Sequence, residues 1–238
     1  MELDPDQTQP SRPASLSLAE ALRTTGAVRD FTDQAVDDAV LARVLDTARF
    51  APSGANAQAW RVVVVKDSAN RRRLRDCYVK GSREYLALAA AGLRPWSPTS
   101  DRQAEARALA AENAGAVGGF AEKFDEVPVL LAVFADLSML AAVDRDADRY
   151  TFAGGASLYP FAWSILLAAR DEGLGGVITT IAIREEHEVK AILGAPDPLA
   201  LAAVIALGYP VRQPRRLRRQ PVTSFTTVDS IDGRTFGV

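Results

Sequence analysis

The sequence is poor in the residue types that most often carry chemistry. It has one cysteine, Cys77, and one histidine, His187. A single cysteine cannot close an intramolecular disulfide, which excludes a disulfide-stapled secreted scaffold. A histidine-based triad would have to use His187, and a zinc site could draw on at most one His and one Cys, so no metal site is expected. Neither sign of charge dominates: 28 Lys+Arg against 30 Asp+Glu leave −2, with pI ≈ 5.6. The basic footprint of a nucleic-acid-binding protein is therefore missing. No apolar run approaches the ~20 residues of a membrane helix. The first ten residues are acidic and Pro/Gln-rich, unlike a signal peptide. Together these absences predict a cytoplasmic protein with no membrane and no nucleic-acid partner. G-x-G-x-x-G after a strand, G-x-x-x-x-G-K-[ST], H-E-x-x-H and G-x-S-x-G are all absent. That disfavours a Rossmann dehydrogenase, a P-loop NTPase, a zincin and an α/β-hydrolase.

What remains is an ordinary globular composition, 48% hydrophobic and 24% charged over 238 residues, enough for one large domain or two small ones. Residues 1–14 are polar with three prolines and read as a disordered tail. Ser17 and Glu20 make a capping box for a short helix to about Thr24. Asp37 or Asp38 opens a second, with Val40, Leu41, Val44, Leu45 and Ala48 on one face. Trp60–Val65 is β-branched and reads as a buried strand. Ala69–Leu93 is helix-rich with a break at Gly81, Arg94–Thr99 is a loop, and Asp101–Phe124 is helical, loosened by Gly115, Gly118 and Gly119. Val129–Phe134 is a second strand. Gly155–Glu172 reads as a long helix, apolar all round from Phe161 to Ala169, as befits a core centre or an oligomer interface. The cluster Gly173-Leu174-Gly175-Gly176 ends it. Val177–Ile183 is extended, Arg184–Leu193 a short helix, and Leu201–Leu207 a third buried strand.

From Val211 the character changes. Arg212, Arg215, Arg216, Arg218 and Arg219 fall close together with no acid between Tyr209 and Val228. The order of elements does not alternate as a doubly wound fold would, so the class is α+β. The body is residues 15–210, and 211–238 form a C-terminal arm of the same domain, expected to reach across to a dimer partner.

Two segments stand out. Arg23–Phe31 reads Arg-Thr-Thr-Gly-Ala-Val-Arg-Asp-Phe, a helix end followed by a loop. Ala51–Trp60 reads Ala-Pro-Ser-Gly-Ala-Asn-Ala-Gln-Ala-Trp, directly before a strand. In this order and spacing they resemble the nitroreductase family of FMN-dependent oxidoreductases, which pairs a basic R-R/H-S-x-R/K segment with a helix ending in A-P-S-x-x-N-x-Q-P-W. The resemblance extends through Gly173–Gly176 and the basic tail, over roughly residues 15–225. It implies a mostly antiparallel or mixed sheet flanked by helices, an extended arm, and a homodimer with FMN at its interface. Arg29 then matches the basic residue near the pyrimidine side of the flavin, and Asn56 the residue at the ring edge, with Pro52, Ser53 and Gln58 from the same motif. Ile178, Thr179 and Thr180 fall where backbone N–H groups approach flavin N5. Arg218 and Arg219 resemble the tail residues that hold the FMN phosphate, and which of them does so stays open. The sequence departs from the pattern at Thr25-Gly26-Ala27, where a phosphate-binding arginine is missing although Arg23 lies just before, and at Ala59, which replaces a proline.

The residue types suit the chemistry. Arginine forks meet a phosphate dianion, and a fixed cation at Arg29 favours negative charge on the reduced ring. The flavin carries the hydride, so no catalytic side chain is needed. Each residue also has a plain structural reading: surface arginines at 23 and 29, a turn at Asn56, packing at Gln58 and Trp60, a helix stop at Gly173–Gly176. Arg71 is assigned no site role and serves as the neutral comparison for Arg29. The expected function is transfer of electrons from NADPH or NADH to a nitroaromatic, quinone or similar small acceptor by a ping-pong mechanism. The rivals are reductive dehalogenation or flavin breakdown on the same fold, and a flavin-binding protein without turnover.

Overall fold

The computed structural model describes residues 16–111 and 117–237. The expected disordered tail at 1–14 and the glycine at 115 lie outside them. Four strands form one sheet: β1 (Trp60–Val64), β2 (Val129–Asp136), β3 (Gly175–Thr179) and β4 (Leu199–Gly208), in the order β1-β2-β4-β3. All three pairings are antiparallel. Among the described residues the six α-helices are α1 (Leu18–Thr24), α2 (Asp38–Ala48), α3 (Ser68–Ala90), α4 (Arg102–Ala110), α5 (Tyr159–Asp171) and α6 (Glu186–Leu193).

β2 shows why the strand runs carry no alternation. Leu130, Ala132 and Phe134 belong to a core with Leu74, Tyr78 and Phe124, while Val129, Leu131 and Val133 belong to a second core with Val44, Phe161 and Ile165. A central strand covered by helices on both faces must be apolar at every position. The caps follow the sequence: Ser17 Oγ accepts from Glu20 N at 3.2 Å, and Asp37, rather than Asp38, accepts from Ala39 N at 2.7 Å.

Several boundaries differ from expectation. α3 runs through Gly81 without a break, because a Cβ there would come within 2.8 Å of Ile181 Cγ2 and Ile181 O; the glycine lets the turn after β3 lie on the helix. α4 ends at Ala110, and Phe124 opens a separate 3-10 turn. α5 begins at Tyr159, preceded by a 3-10 turn over Ala153–Ser157. Its end uses only the first half of the glycine cluster: Leu174 N reaches Ala169 O at 2.8 Å past Gly173 at φ 81°. Gly175 and Gly176 already belong to β3. A Cβ on Gly176 would meet Ala206 O and Leu207 Cδ2 at 2.5 Å, so the absence of a side chain is what admits this edge strand. β3 closes at Thr179, and Ile181–Glu185 is 3-10 rather than extended. Arg71, read as neutral, is half-buried and donates to the carbonyls of Val65 and Asp125, both at 2.9 Å, and of Val127. It is structural, so Arg72, which is exposed, takes its place as the neutral comparison.

Candidate functional site

The sheet register sorts the expected site residues into two groups. Val28 N bonds Gly176 O at 2.9 Å beside the Ala27–Gly176 bridge, which ties the segment carrying Arg23, Thr25 and Arg29 to the start of β3. Thr32 N then reaches Tyr209 O at 2.9 Å and Val211 N reaches Asp30 O at 3.1 Å, so this segment lies along the start of the arm. Gly26 is the contact point: a Cβ there would lie 2.8 Å from Leu217 Cδ2 and 3.3 Å from Pro214. Gly26, part of the departure from the family pattern, lets the arm close down on the end of α1.

The consequence is a groove of about 680 Å³ between α1 and the arm, lined by Glu20, Arg23, Arg215, Arg216 and Arg219 among others. Arg23 and Arg219 thus converge, although 196 positions separate them in the chain. Arg218 does not line this groove; its carbonyl accepts from Arg219 Nη1 at 2.7 Å. Arg215 and Arg216 join it, which their position in the arginine run could have suggested. Thr25 is 5% exposed, and its Oγ1 is buried without a hydrogen-bond partner. The guanidinium groups of Arg23, Arg215, Arg216 and Arg219 lining one groove fit a phosphate-bearing ligand such as FMN.

Arg29 is exposed, with its guanidinium carbon 6.0 Å from the centre of the Phe120 ring. Phe120 is set edge-on against Tyr78 and Phe124, which stack on each other at 4.2 Å. Thr179 Oγ1 lies 3.4 Å from the Tyr78 hydroxyl. Arg29 and the end of β3 are thus linked through one aromatic cluster, a link no local pattern reveals. Ile178 is half-buried, Thr179 buried and Thr180 exposed.

The second group is the Pro52–Gln58 loop. Ala55, Asn56 and Gln58 have φ of 51°, 53° and 50°, a left-handed conformation that non-glycine residues seldom adopt. Two serines hold it. Gln58 N donates to Ser53 Oγ at 2.9 Å, and Gly54 N donates to Ser157 Oγ at 2.9 Å. Gln58 Nε2 lies 3.4 Å from Asn56 Oδ1. Ser157 is 5% exposed and had no signal in the sequence. The turn that carries it is anchored by Asp144, whose carboxylate accepts from Phe152 N at 2.9 Å, Ala153 N at 3.2 Å and Arg149 Nη1 at 3.0 Å. The Phe152 N–H first, with Arg149 and Ala153, outweighs desolvation and holds the Asp144 carboxyl below the usual carboxylate range.

Pro52 shares a groove with Leu18 and Ala21 of α1, but the Arg29 segment and the strand into which the loop leads lie far apart within one chain. The loop leads into Trp60, which pairs with Ala135 at the Leu199 end of β4, on the β1 edge. The Arg29 segment sits at the Gly208 end, on the β3 edge. Three strand spacings across and about seven residues along the sheet put them roughly 20 Å or more apart.

His187 and Cys77 stay outside both groups. His187 lines a surface groove with Lys190 and Asp197. Burial, then the charges of Glu188 and Glu185, push the Cys77 thiol up to about 11, which leaves it unreactive. Among the described residues there is no cluster able to hold a metal ion and no helix long and apolar enough to cross a membrane.

Residues 22–209 match the nitroreductase family. An NADH dehydrogenase of Thermus thermophilus is 29% identical over 195 residues, covering 82% of this chain and 87% of that one. A 5,6-dimethylbenzimidazole synthase of Rhodospirillum rubrum is 29% identical over 189 residues, 77% of each. Among solved structures, a BluB-like flavoprotein from Clostridium difficile superposes with a TM-score of 0.63 at 23% identity, over 89% of this chain and 98% of that one.

Proposed function

The chain belongs to the nitroreductase family, and from that premise we propose that it is an FMN-dependent oxidoreductase, taking electrons from NADPH or NADH and passing them to a nitroaromatic, quinone or similarly electron-poor small molecule. The observation that carries this reading is the convergence of Arg23, Arg215, Arg216 and Arg219 on one groove between α1 and the arm. FMN, when bound, supplies the two-electron chemistry. Arg23 and Arg219 hold its phosphate. Arg29 faces the pyrimidine side with a fixed positive charge, its guanidinium carbon 6.0 Å from the centre of the Phe120 ring. Ile178, Thr179 and Thr180 present the strand end to the ring. No side chain has to act as acid or base on this scheme.

Asn56 and the loop around it belong to the same site but sit at the far corner of the sheet, so a second copy of the chain must supply them. The reading is therefore a homodimer with composite sites. Exposed apolar residues in the arm, Phe225 at 66% and Phe236 at 56%, and a groove lined by Leu18, Phe50 and Leu167 give two such copies surfaces to share. A cytoplasmic location is part of this proposal, supported by the single cysteine of the chain.

The test is direct. The purified protein should be yellow, release FMN on denaturation, sediment as a dimer, and oxidise NADPH or NADH when a nitroaromatic is present. Arg219→Ala should lose FMN and Arg218→Ala should retain it. A colourless protein that fails to take up FMN overturns the proposal, and a stable flavin-loaded monomer overturns the composite site.

A further inference from the structure

The end of α3 and the connection to α4 carry two aromatic residues, Tyr85 and Trp96, that belong to neither core. α3 ends in a left-handed glycine, Gly92 at φ 74°, with Leu93 N reaching Leu88 O at 3.0 Å. A tight turn follows at once: Ser97 N reaches Arg94 O at 3.2 Å, with Pro95 in its second position and Trp96 in its third. Trp96 has φ 52°. A positive φ at the third position of a turn with proline at its second suits glycine or asparagine, and a bulky aromatic there is strained. The indole Nε1 is in addition buried without an acceptor. Two costs are thus carried to hold one ring, at a place outside both cores. Strain of this kind persists where the surrounding structure fixes it, and it concentrates at binding sites.

The contacts of the ring tie it to the end of β3. The Tyr85 and Trp96 ring centres lie 5.9 Å apart, tilted by 56°, and the Arg184 guanidinium carbon lies 5.3 Å from the indole centre. Arg184 is itself held by Glu84, Nε to Oε2 at 2.9 Å. On α3, Tyr85 stands seven positions after Tyr78, two turns and roughly 10 Å along the same face. Tyr78 lies 3.4 Å from Thr179 Oγ1 and edge-on to Phe120, beside which Arg29 sits. Between the two tyrosines, Gly81 receives the turn after Thr180: a Cβ there would come within 2.8 Å of Ile181 and 3.5 Å of Arg184 Cβ. One helix face therefore carries the Arg29–Thr179 cluster at one end and the Tyr85–Trp96 pair at the other, with residues 181–184 between them. Tyr85 is 44% exposed and Trp96 half-buried, so both rings keep open surface.

We propose that Tyr85 and Trp96 form the wall that receives the electron acceptor, by ring-on-ring contact, and that the acceptor is an electron-poor aromatic or quinone ring rather than a saturated molecule. The inference deepens the proposed function and rests on it, since the acceptor is placed beside a flavin held at Arg29 and the end of β3. Indole and phenol present electron-rich faces, and a ring depleted by nitro or carbonyl groups presents an electron-poor one. A saturated molecule of the same size gains buried area at this wall but not that match.

Calorimetric titration of the FMN-loaded protein with 4-nitrobenzyl alcohol, and with cyclohexylmethanol as the saturated comparison, tests the wall. Both probes are uncharged, so the arginines do not decide the outcome. The wild type should bind the aromatic probe more tightly. Trp96→Gly, which suits the positive φ, and Tyr85→Leu, which suits the helix, should each weaken that binding by about three- to tenfold. Neither should change the binding of cyclohexylmethanol. Photoreduced protein, which bypasses the nucleotide, supplies a second readout. The rate of flavin reoxidation by 4-nitrobenzyl alcohol, relative to that by dioxygen, should fall by the same factor in both variants. Equal binding of the two probes by the wild type, wild-type affinity for the aromatic probe in both variants, or an unchanged rate ratio each overturns the assignment. If the protein holds no FMN, or its reduced flavin passes electrons to neither acceptor, the function reading fails. The titration still decides the wall: a preference for the aromatic probe that both variants abolish supports it, and one that survives them overturns it.

Discussion

The two halves of the candidate site are prepared in opposite ways. On the arm side no residue in 23–31 or 211–219 takes the left-handed conformation, and the side chains are uncommitted: Arg23, Arg29, Arg215 and Arg216 form no ion pair with a carboxylate among the described residues. On the loop side the side chains are neutral and the backbone is unusual, with three left-handed residues in four positions, each of its constraints met by a serine. The arm side stores its readiness as unpaired charge, the loop side as backbone shape. A charged half answers to salt and to charge deletion, whereas a shaped half answers to the loss of single hydrogen bonds.

The largest effect should come from breaking the frame on which the arm side rests. Gly176→Ala forces a Cβ against a neighbouring strand's carbonyl that cannot yield, and should destabilise the apoprotein by about 2–3 kcal/mol. Urea unfolding followed by far-UV circular dichroism should show a lower midpoint at unchanged slope. Next is the charge itself. Arg29→Met keeps the stem and deletes the guanidinium, at a cost of about 1.5–3 kcal/mol to the negatively charged reduced state. Spectroelectrochemistry should find a lower flavin potential, with slower reduction by NADPH, while Arg72→Met should move neither. An unchanged potential would return Arg29 to the rank of a surface arginine.

On the loop side the expected effects are smaller. Ser157→Ala removes the acceptor of Gly54 N–H from a part-buried hydrogen bond, so about 1 kcal/mol is at stake. It should appear as roughly fivefold weaker FMN binding in a fluorescence titration, with little change in melting temperature. The smallest effect is confined to acid. The Asp144 carboxylate has a depressed folded pKa, so the stability that it contributes is complete above its unfolded value of about 4 and is lost as pH falls through the folded value. Asp144→Asn should flatten that part of the acid-unfolding curve. A wild-type curve with no component below about pH 4 that the variant removes would rule this out.

The fold was legible where burial is two-sided or a cap is local. The runs Val129–Phe134 and Leu201–Leu207 announce central strands, and Ser17 and Asp37 announce helix starts. Gly81 and Gly175–Gly176 misled because glycine marks either a break or a close approach, and the chain's own neighbourhood does not say which. Arg71 misled for a related reason: its three carbonyl partners include Asp125 and Val127, more than fifty positions away. At the site, the Arg29 and Asn56 segments were found through their resemblance to a family, and Arg219 was paired with Arg218 until the groove separated them.

What the sequence determined by itself is the material: strands apolar at every position, capped helix starts, a chain with a single histidine and a single cysteine, and an arm of arginines without acids. These depend on residue type and short-range spacing, which the chain carries directly. Only the tertiary structure decided that Arg23 and Arg219 line one groove, that Ser157 supports Gly54 from 103 positions away, and that Arg29 and Asn56 lie at opposite corners of one sheet. Each is a matter of strand order and register. Those are fixed by packing both faces of the sheet at once, so no local stretch of sequence contains them.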